Sequence, residues 1–408
     1  MKKITLLLFT MIFLSASIVL MGSQYRPLTP ELIMTRYMLI SIGFSILIFI
    51  YFINGGIKKV RFSSFLAFYI FILWSLFSLS VLVSETLNNE FPIQGLFFLL
   101  IVPFIYFIVM PFVTKKGGFV IHYALFASNF LYILLSYVLR PVDSLPYMGI
   151  TANPNGFGQI AAIACISGFI ILITIPKQKR WTKLLLIAAL LLSLGSVILS
   201  SSRTSFVVVA FIIFIITVYF LVARGNFKPL LSLVTLGVIA WLSPLREVFL
   251  AGLVDKFAEY YQNGNILNGR TGTWGIVMRD ARLFGNGEDY FDHFFEGAHN
   301  SIINILGVYG IIPALLLTTF LVALMVQAFL FAFRNKKDTL AVFPFVIIVT
   351  FTLFSMTEAM FGLIGNGITV AFYLVTGYIL FYGCRAEPKA KVKAPVVLQP
   401  HIKNTTLN

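Results

Sequence analysis

The sequence predicts an all-α polytopic membrane protein with about 12 transmembrane helices and one long extracytoplasmic loop before the last three spans. Three observations predict it. Hydrophobic residues fill 59% of the 408 positions and charged residues only 11%, whereas a soluble chain carries about 25% charge. Apolar runs recur along the chain at close to the ~20 helical residues needed to cross a hydrocarbon core. Basic residues, which give a formal net charge of +15, gather in short segments between those runs and not on one polar face, so membrane topology explains the charge and nucleic acid does not.

The runs lie at 4–22, 36–53, 62–83, 95–113, 119–139, 157–175, 184–200, 206–223, 229–243, 311–333, 340–357 and 368–383. The first follows Lys2-Lys3 and holds Ser15-Ala16-Ser17, a pattern shared with signal peptides; its length favours an uncleaved anchor. If the twelve spans alternate, one side collects 21 of the 30 Lys and Arg with two acids, and the other collects nine basic and thirteen acidic residues. The positive-inside rule then puts both termini in the cytoplasm. Residues 1–243 hold spans one to nine, 244–310 form the extracytoplasmic loop, 311–383 hold spans ten to twelve, and 384–408 form a basic cytoplasmic tail read as disordered and drawn to anionic membrane lipids. The spans carry almost no ionisable residue; His122 and Glu358 near span ends stand out, and an ion-coupled transporter would bury more. Cys165 and Cys384 give neither a disulfide framework nor a metal spacing.

Four polar constellations fall on the extracytoplasmic side. Asn153-Pro154-Asn155-Gly156 precedes the sixth span, where amides and free backbone N–H groups at a helix start suit an anion, although a plain helix-capping loop has the same composition. Ser200-Ser201-Ser202-Arg203-Thr204-Ser205 sets a guanidinium among hydroxyls, against the charge trend, and a guanidinium binds phosphate bidentately; an arginine snorkelling to headgroups is the plainer reading. Within the loop, Arg246 to Tyr261 has apolar residues at helical spacing. It is followed by Asn268-Gly269-Arg270, with Trp274, Met278 and Ala281 on one helical face. Last comes Ala298-His299-Asn300, an imidazole at a helix start able to orient or deprotonate a hydroxyl; a surface histidine capping a helix is the plainer reading of this motif alone, and four signals on one face outweigh it. Glu288, Asp289, Asp292, His293 and Glu296 have the ligand types of a metal site, but the spacing fits no EF-hand or paired-aspartate motif, and a solvated acidic face is the expectation.

Taken together, Asn153-Pro154-Asn155, Ser202-Arg203, Gly269-Arg270 with Trp274, and Ala298-His299-Asn300 with Gly307 and Gly310 resemble the O-antigen ligase and Wzy-type polysaccharide polymerase superfamily. The resemblance runs from about Gly149 to Gly383. It implies a GT-C-like fold in a bacterial cytoplasmic membrane and a metal-independent glycosyltransferase with no cofactor. The donor it implies is an undecaprenyl-diphosphate-linked glycan, the acceptor another glycan or a lipid, and the further partners a flippase and a chain-length regulator. Carried over by position, Arg203 and Arg270 would hold the diphosphate, and His299 would activate the acceptor hydroxyl or assist the leaving group. Asn153, Asn155, Asn300 and Trp274 would line the substrate site. Polymerisation of lipid-linked repeats is the expected activity; ligation of a finished glycan to a lipid or protein uses the same donor chemistry, and flipping of the lipid carrier without chemistry is the third reading.

Overall fold

The computed structural model describes residues 6–7, 9–13, 30–56, 60–114, 120–151, 153–174, 180–242, 244, 246–247, 258, 270–294, 297–361 and 367–382. Most of the first run, most of the expected Arg246–Tyr261 helix, Asn268-Gly269, Glu296 and the tail lie outside the described residues. No strand occurs among the described residues; the elements are helices throughout. In chain order they are α1 (Pro30–Ile53), α2 (Phe65–Leu87), α3 (Ile93–Leu96, continuing as a π-helix over Phe97–Val109 and as α-helix over Met110–Thr114), α4 (Val120–Leu139), α5 (Pro154–Thr174), α6 (Arg180–Leu199), α7 (Arg203–Arg224) and α8 (Lys228–Leu242). The loop region supplies α9 (Arg270–Arg279), a 3₁₀ turn (Glu288–His293) and α10 (Ser301–Val308). It is followed by α11 (Ile311–Arg334), α12 (Phe343–Ser355) and α13 (Gly367–Gly377).

Seven of these, α2 to α7 and α11, are long and apolar enough to cross a membrane, and α1, α8, α12 and α13 belong to shorter apolar stretches. The protein is therefore a polytopic membrane protein. The shortening has local causes. Pro344 opens α12 behind a 3₁₀ turn, Thr339–Val342, and α13 passes into a π-helical turn at Tyr378–Tyr382.

Burial follows the pattern of apolar residues around each helix. α5 is apolar all round and sits centrally, packed on α4, α6 and α7, and α13 is buried along its whole length between α12 and α3. Helices with a lipid-facing side, such as α7, bury Val208, Ile212 and Ile216 and expose Val207, Phe211, Phe214 and Val218. Inside hydrocarbon each free backbone group needs a partner, and the irregular turns show how these are found. Pro103 has no N–H, so in π-helical register the Phe98 carbonyl lacks its donor; the Trp74 indole of α2 supplies one at 2.9 Å. At the end of α13, the Ser63 hydroxyl and amide donate to the carbonyls of Ile379 and Leu380 at 2.6 and 2.8 Å.

The direction of α7 against α12 positions the site. At one end Arg224 donates to the Thr339 hydroxyl and the Lys337 carbonyl, and Tyr219 donates to the Ala332 carbonyl at 2.9 Å. The C-terminus of α7 therefore lies beside the N-terminus of α12, and the packed pair is antiparallel. Arg203 at the start of α7 consequently shares an end of the bundle with Ser355 and the turn that follows it, the end that also carries α9 and α10.

Candidate functional site

α10 begins with a strained residue and a strong cap. His299 has a φ of 44°, left-handed backbone that costs a non-glycine residue about 1 kcal/mol or more. Asn300 is extended at φ −159°, and its Oδ1 accepts the amides of Ile302 and Ile303 at 2.9 and 3.1 Å. The cap satisfies two of the helix's free N–H groups and fixes the direction in which His299 leaves the chain.

The same residues tie α10 to the turn after α12. Asn300 Nδ2 donates to the Met356 carbonyl at 3.1 Å; Ser301 Oγ donates to the Glu358 carbonyl at 3.0 Å and accepts the Met360 amide at 2.8 Å. These bonds bring Glu358 to His299, whose Nδ1 lies 3.1 Å from Glu358 Oε2. From the other side Arg270, the first residue of α9, donates through Nη1 to the Thr357 carbonyl at 3.1 Å and places Nη2 3.9 Å from Glu358 Oε1. Its Nε is buried without a hydrogen-bond partner. The side chains of Arg270, Glu358 and His299 are 19%, 24% and 30% exposed, so each is largely buried with part of its surface accessible.

A small core holds this arrangement. Val277, Ala298 and Ile303 are buried together, with Trp274, Tyr290, Phe291 and Leu306 packed on them, and the Trp274 indole donates to the Ala298 carbonyl at 2.7 Å. Trp274 therefore positions the backbone before His299. The face predicted for α9 needs correction: Met278 is exposed, Ala281 lies beyond the helix, and Val277 is the buried partner of Trp274. Tertiary contact to the 297–303 segment chose the face, in a ten-residue helix too short to choose it by itself.

The remaining predicted residues occupy a neighbouring corner. Asn153 Oδ1 accepts the Asn155 amide at 2.8 Å, which is a helix cap for α5. Arg203 is half-buried at the first position of α7, where Ser202 caps the helix by accepting from the Ser205 amide. Gly158 allows the two helix starts to meet, since a Cβ there would come within 2.8 Å of Ser200, Ser202 and Ser205 side-chain atoms. Thus Arg270, Trp274, His299 and Asn300 form one connected cluster, while Asn153, Asn155 and Arg203 form a second group at the same end.

The acidic run lies on the 3₁₀ turn, with Glu288, Asp289, Asp292 and His293 exposed. Partial burial, and then the charges of Glu90 and Asp289, raise the Glu288 carboxyl above its ordinary value. No three His, Cys, Asp or Glu side chains among the described residues converge on a metal position.

Glu358 is the site residue that motif reading omitted. A signal was present, because it is the only Asp, Glu, Lys or Arg between Asp338 and Arg385, and a lone charge in an apolar stretch is a functional candidate. Comparison with protein-family models found no matching family, and comparison with curated proteins found no matching relative.

Proposed function

We propose that this chain is a membrane glycosyltransferase that polymerises undecaprenyl-diphosphate-linked oligosaccharide repeats into a cell-surface polysaccharide. One observation carries the reading: a histidine held by a carboxylate, with an arginine on that same carboxylate, stands half-buried at the loop end of a bundle of apolar helices. A histidine–carboxylate pair is a proton-transfer device, a guanidinium binds a leaving diphosphate, and the location suits a substrate with a lipid tail.

The chemistry assigns each side chain a task. The Glu358 carboxylate accepts a hydrogen bond from Nδ1–H of His299, which fixes the tautomer and leaves the Nε2 lone pair free. Nε2 takes the proton of the acceptor hydroxyl as its oxygen bonds to the anomeric carbon of the donor sugar. The bond from that carbon to the diphosphate oxygen breaks, and the diphosphate departs with the electron pair. Arg270, with Arg203 at the same end of the bundle, binds the charge that develops there. Protonated His299 remains beside Glu358 until it returns the proton to solvent.

The deciding experiment is turnover of a synthetic undecaprenyl-diphosphate oligosaccharide by the purified protein in EDTA, with Arg203→Ala, Arg270→Ala and His299→Ala alongside. Products lengthened by whole repeats, and lost by about 10²-fold or more in each variant, are expected. Transfer only to a separately added acceptor would make the protein a ligase. No turnover with any cognate pair, together with donor movement across proteoliposomes that survives all three substitutions, would overturn the enzyme reading in favour of a flippase.

A further inference from the structure

The corner between α2 and α3 lies in a different part of the chain from the His299 cluster, yet it is hydrogen-bonded to the loop that leads there. Ser84 Oγ donates to the Phe284 carbonyl at 2.7 Å, and Asn88 Nδ2 donates to the same carbonyl at 3.3 Å. Glu90 Oε1 accepts the Glu288 amide. Gly287 sits at φ 95°, backbone that favours glycine, and a Cβ there would lie 2.6 Å from Glu90 Oε1 and push that oxygen from its place. The short 284–288 segment is in turn bonded to the C-terminal end of α10. Asn286 donates its amide to the carbonyls of Gly307 and Val308, each at 3.1 Å, and its side chain to Gly307 at 3.0 Å; the Gly287 amide reaches Val308 at 3.1 Å.

α10 is therefore a strap with two anchors. Its N-terminal end is tied to the turn after α12 through Asn300 and Ser301, and its C-terminal end is tied through 284–288 to the α2–α3 corner. Eight residues of helix span about 12 Å and move as one piece, so the second anchor sets the angle at which the first presents His299 to Glu358. We propose that the Ser84, Asn88 and Glu90 corner is a clamp that positions His299 through segment 284–288 and α10. Glu90 acts in it as a hydrogen-bond acceptor, and its charge is dispensable to that task.

Glu90→Ala and Glu90→Gln separate acceptor from charge, because glutamine keeps a carbonyl oxygen where Oε1 stands. In Glu90→Ala, amide hydrogen exchange should quicken about 5- to 10-fold both at residues 286–288 and at the first-turn amides 302–304 of α10, with the global unfolding midpoint little changed. Turnover of the lipid-linked oligosaccharide should fall about 10-fold or more in kcat with KM nearly constant, since misplacement of a catalytic group by an ångström is that costly. Glu90→Gln should stay near wild type in both measurements, and Ser84→Ala should resemble Glu90→Ala. Faster exchange at 286–288 with none at 302–304 would overturn the clamp, and so would equal loss in the Gln and Ala variants. The kinetic readout rests on the glycan-transfer proposal; the exchange readout does not, and it decides the clamp even if wild type transfers no glycan.

Discussion

Glu358 shows what one residue contributes when two partners share it. Its carboxylate meets His299 through one oxygen and lies within ion-pair distance of Arg270 through the other, so a neutral replacement alters both at once. Glu358→Gln keeps the shape, but its amide can present a donor where His299 Nδ1–H needs an acceptor, which favours the wrong imidazole tautomer. The expected result in the lipid-linked donor assay is a kcat lower by about 10²-fold with a smaller change in KM. A Gln variant as active as wild type would remove Glu358 from the mechanism. At this scale the sequence was informative about residue type and position. His299, Asn300 and Arg270 could be singled out because polar groups are scarce here, but the role of Trp274 was not legible. An indole that donates to a carbonyl 24 residues away leaves no local pattern. Nor could Glu358 be joined to His299 from sequence, 59 positions apart.

At the scale of elements, α3 depends on α2 for its start. Glu85 is fully buried in α2, and its two oxygens accept the amides of Gln94 and Gly95, each at 2.8 Å. These are free N–H groups of the first turn of α3, so Glu85 is a helix cap delivered from another helix. Gly95 meets the Leu82 backbone in the same contact, where a Cβ would come within 2.6 Å of Leu82 atoms. Glu85→Ala strands two buried donors and is expected to cost about 2–4 kcal/mol, readable as a lower unfolding midpoint in detergent with helix content retained below it. A midpoint equal to wild type would show that other groups cap α3. The apolar runs announced α2 and α3 with bounds good to a few residues. The π-helical path around Pro103 and the cap from Glu85 depend on contacts between helices, which no single run encodes.

For the whole molecule, the distribution of charge makes a prediction that the bundle geometry sharpens. Arg270, His299, Glu358 and the start of α7 share one end, whereas Arg224, Lys337 and Thr339 meet at the other. If the basic end faces the cytoplasm, Thr271→Cys and Lys336→Cys, both exposed positions, should differ in intact cells. A membrane-impermeant maleimide should label the first and reach the second only after permeabilisation. The reverse pattern would invert the orientation and leave the cluster facing the cytoplasm, away from an extracytoplasmic donor.

The sequence by itself determined the class of the protein, because hydropathy and helix length are properties of contiguous residues and the bilayer imposes them run by run. It also marked the polar residues that stand apart from the apolar runs, since ionisable groups are scarce within those runs. Only the tertiary structure decided which of those residues meet. The Asn300 cap, the left-handed backbone at His299 and the bonds from Ser301 to Glu358 and Met360 draw the loop and the end of α12 into one cluster. Such contacts are selected by hydrogen-bond geometry between distant segments, and periodicity along the chain carries no record of them.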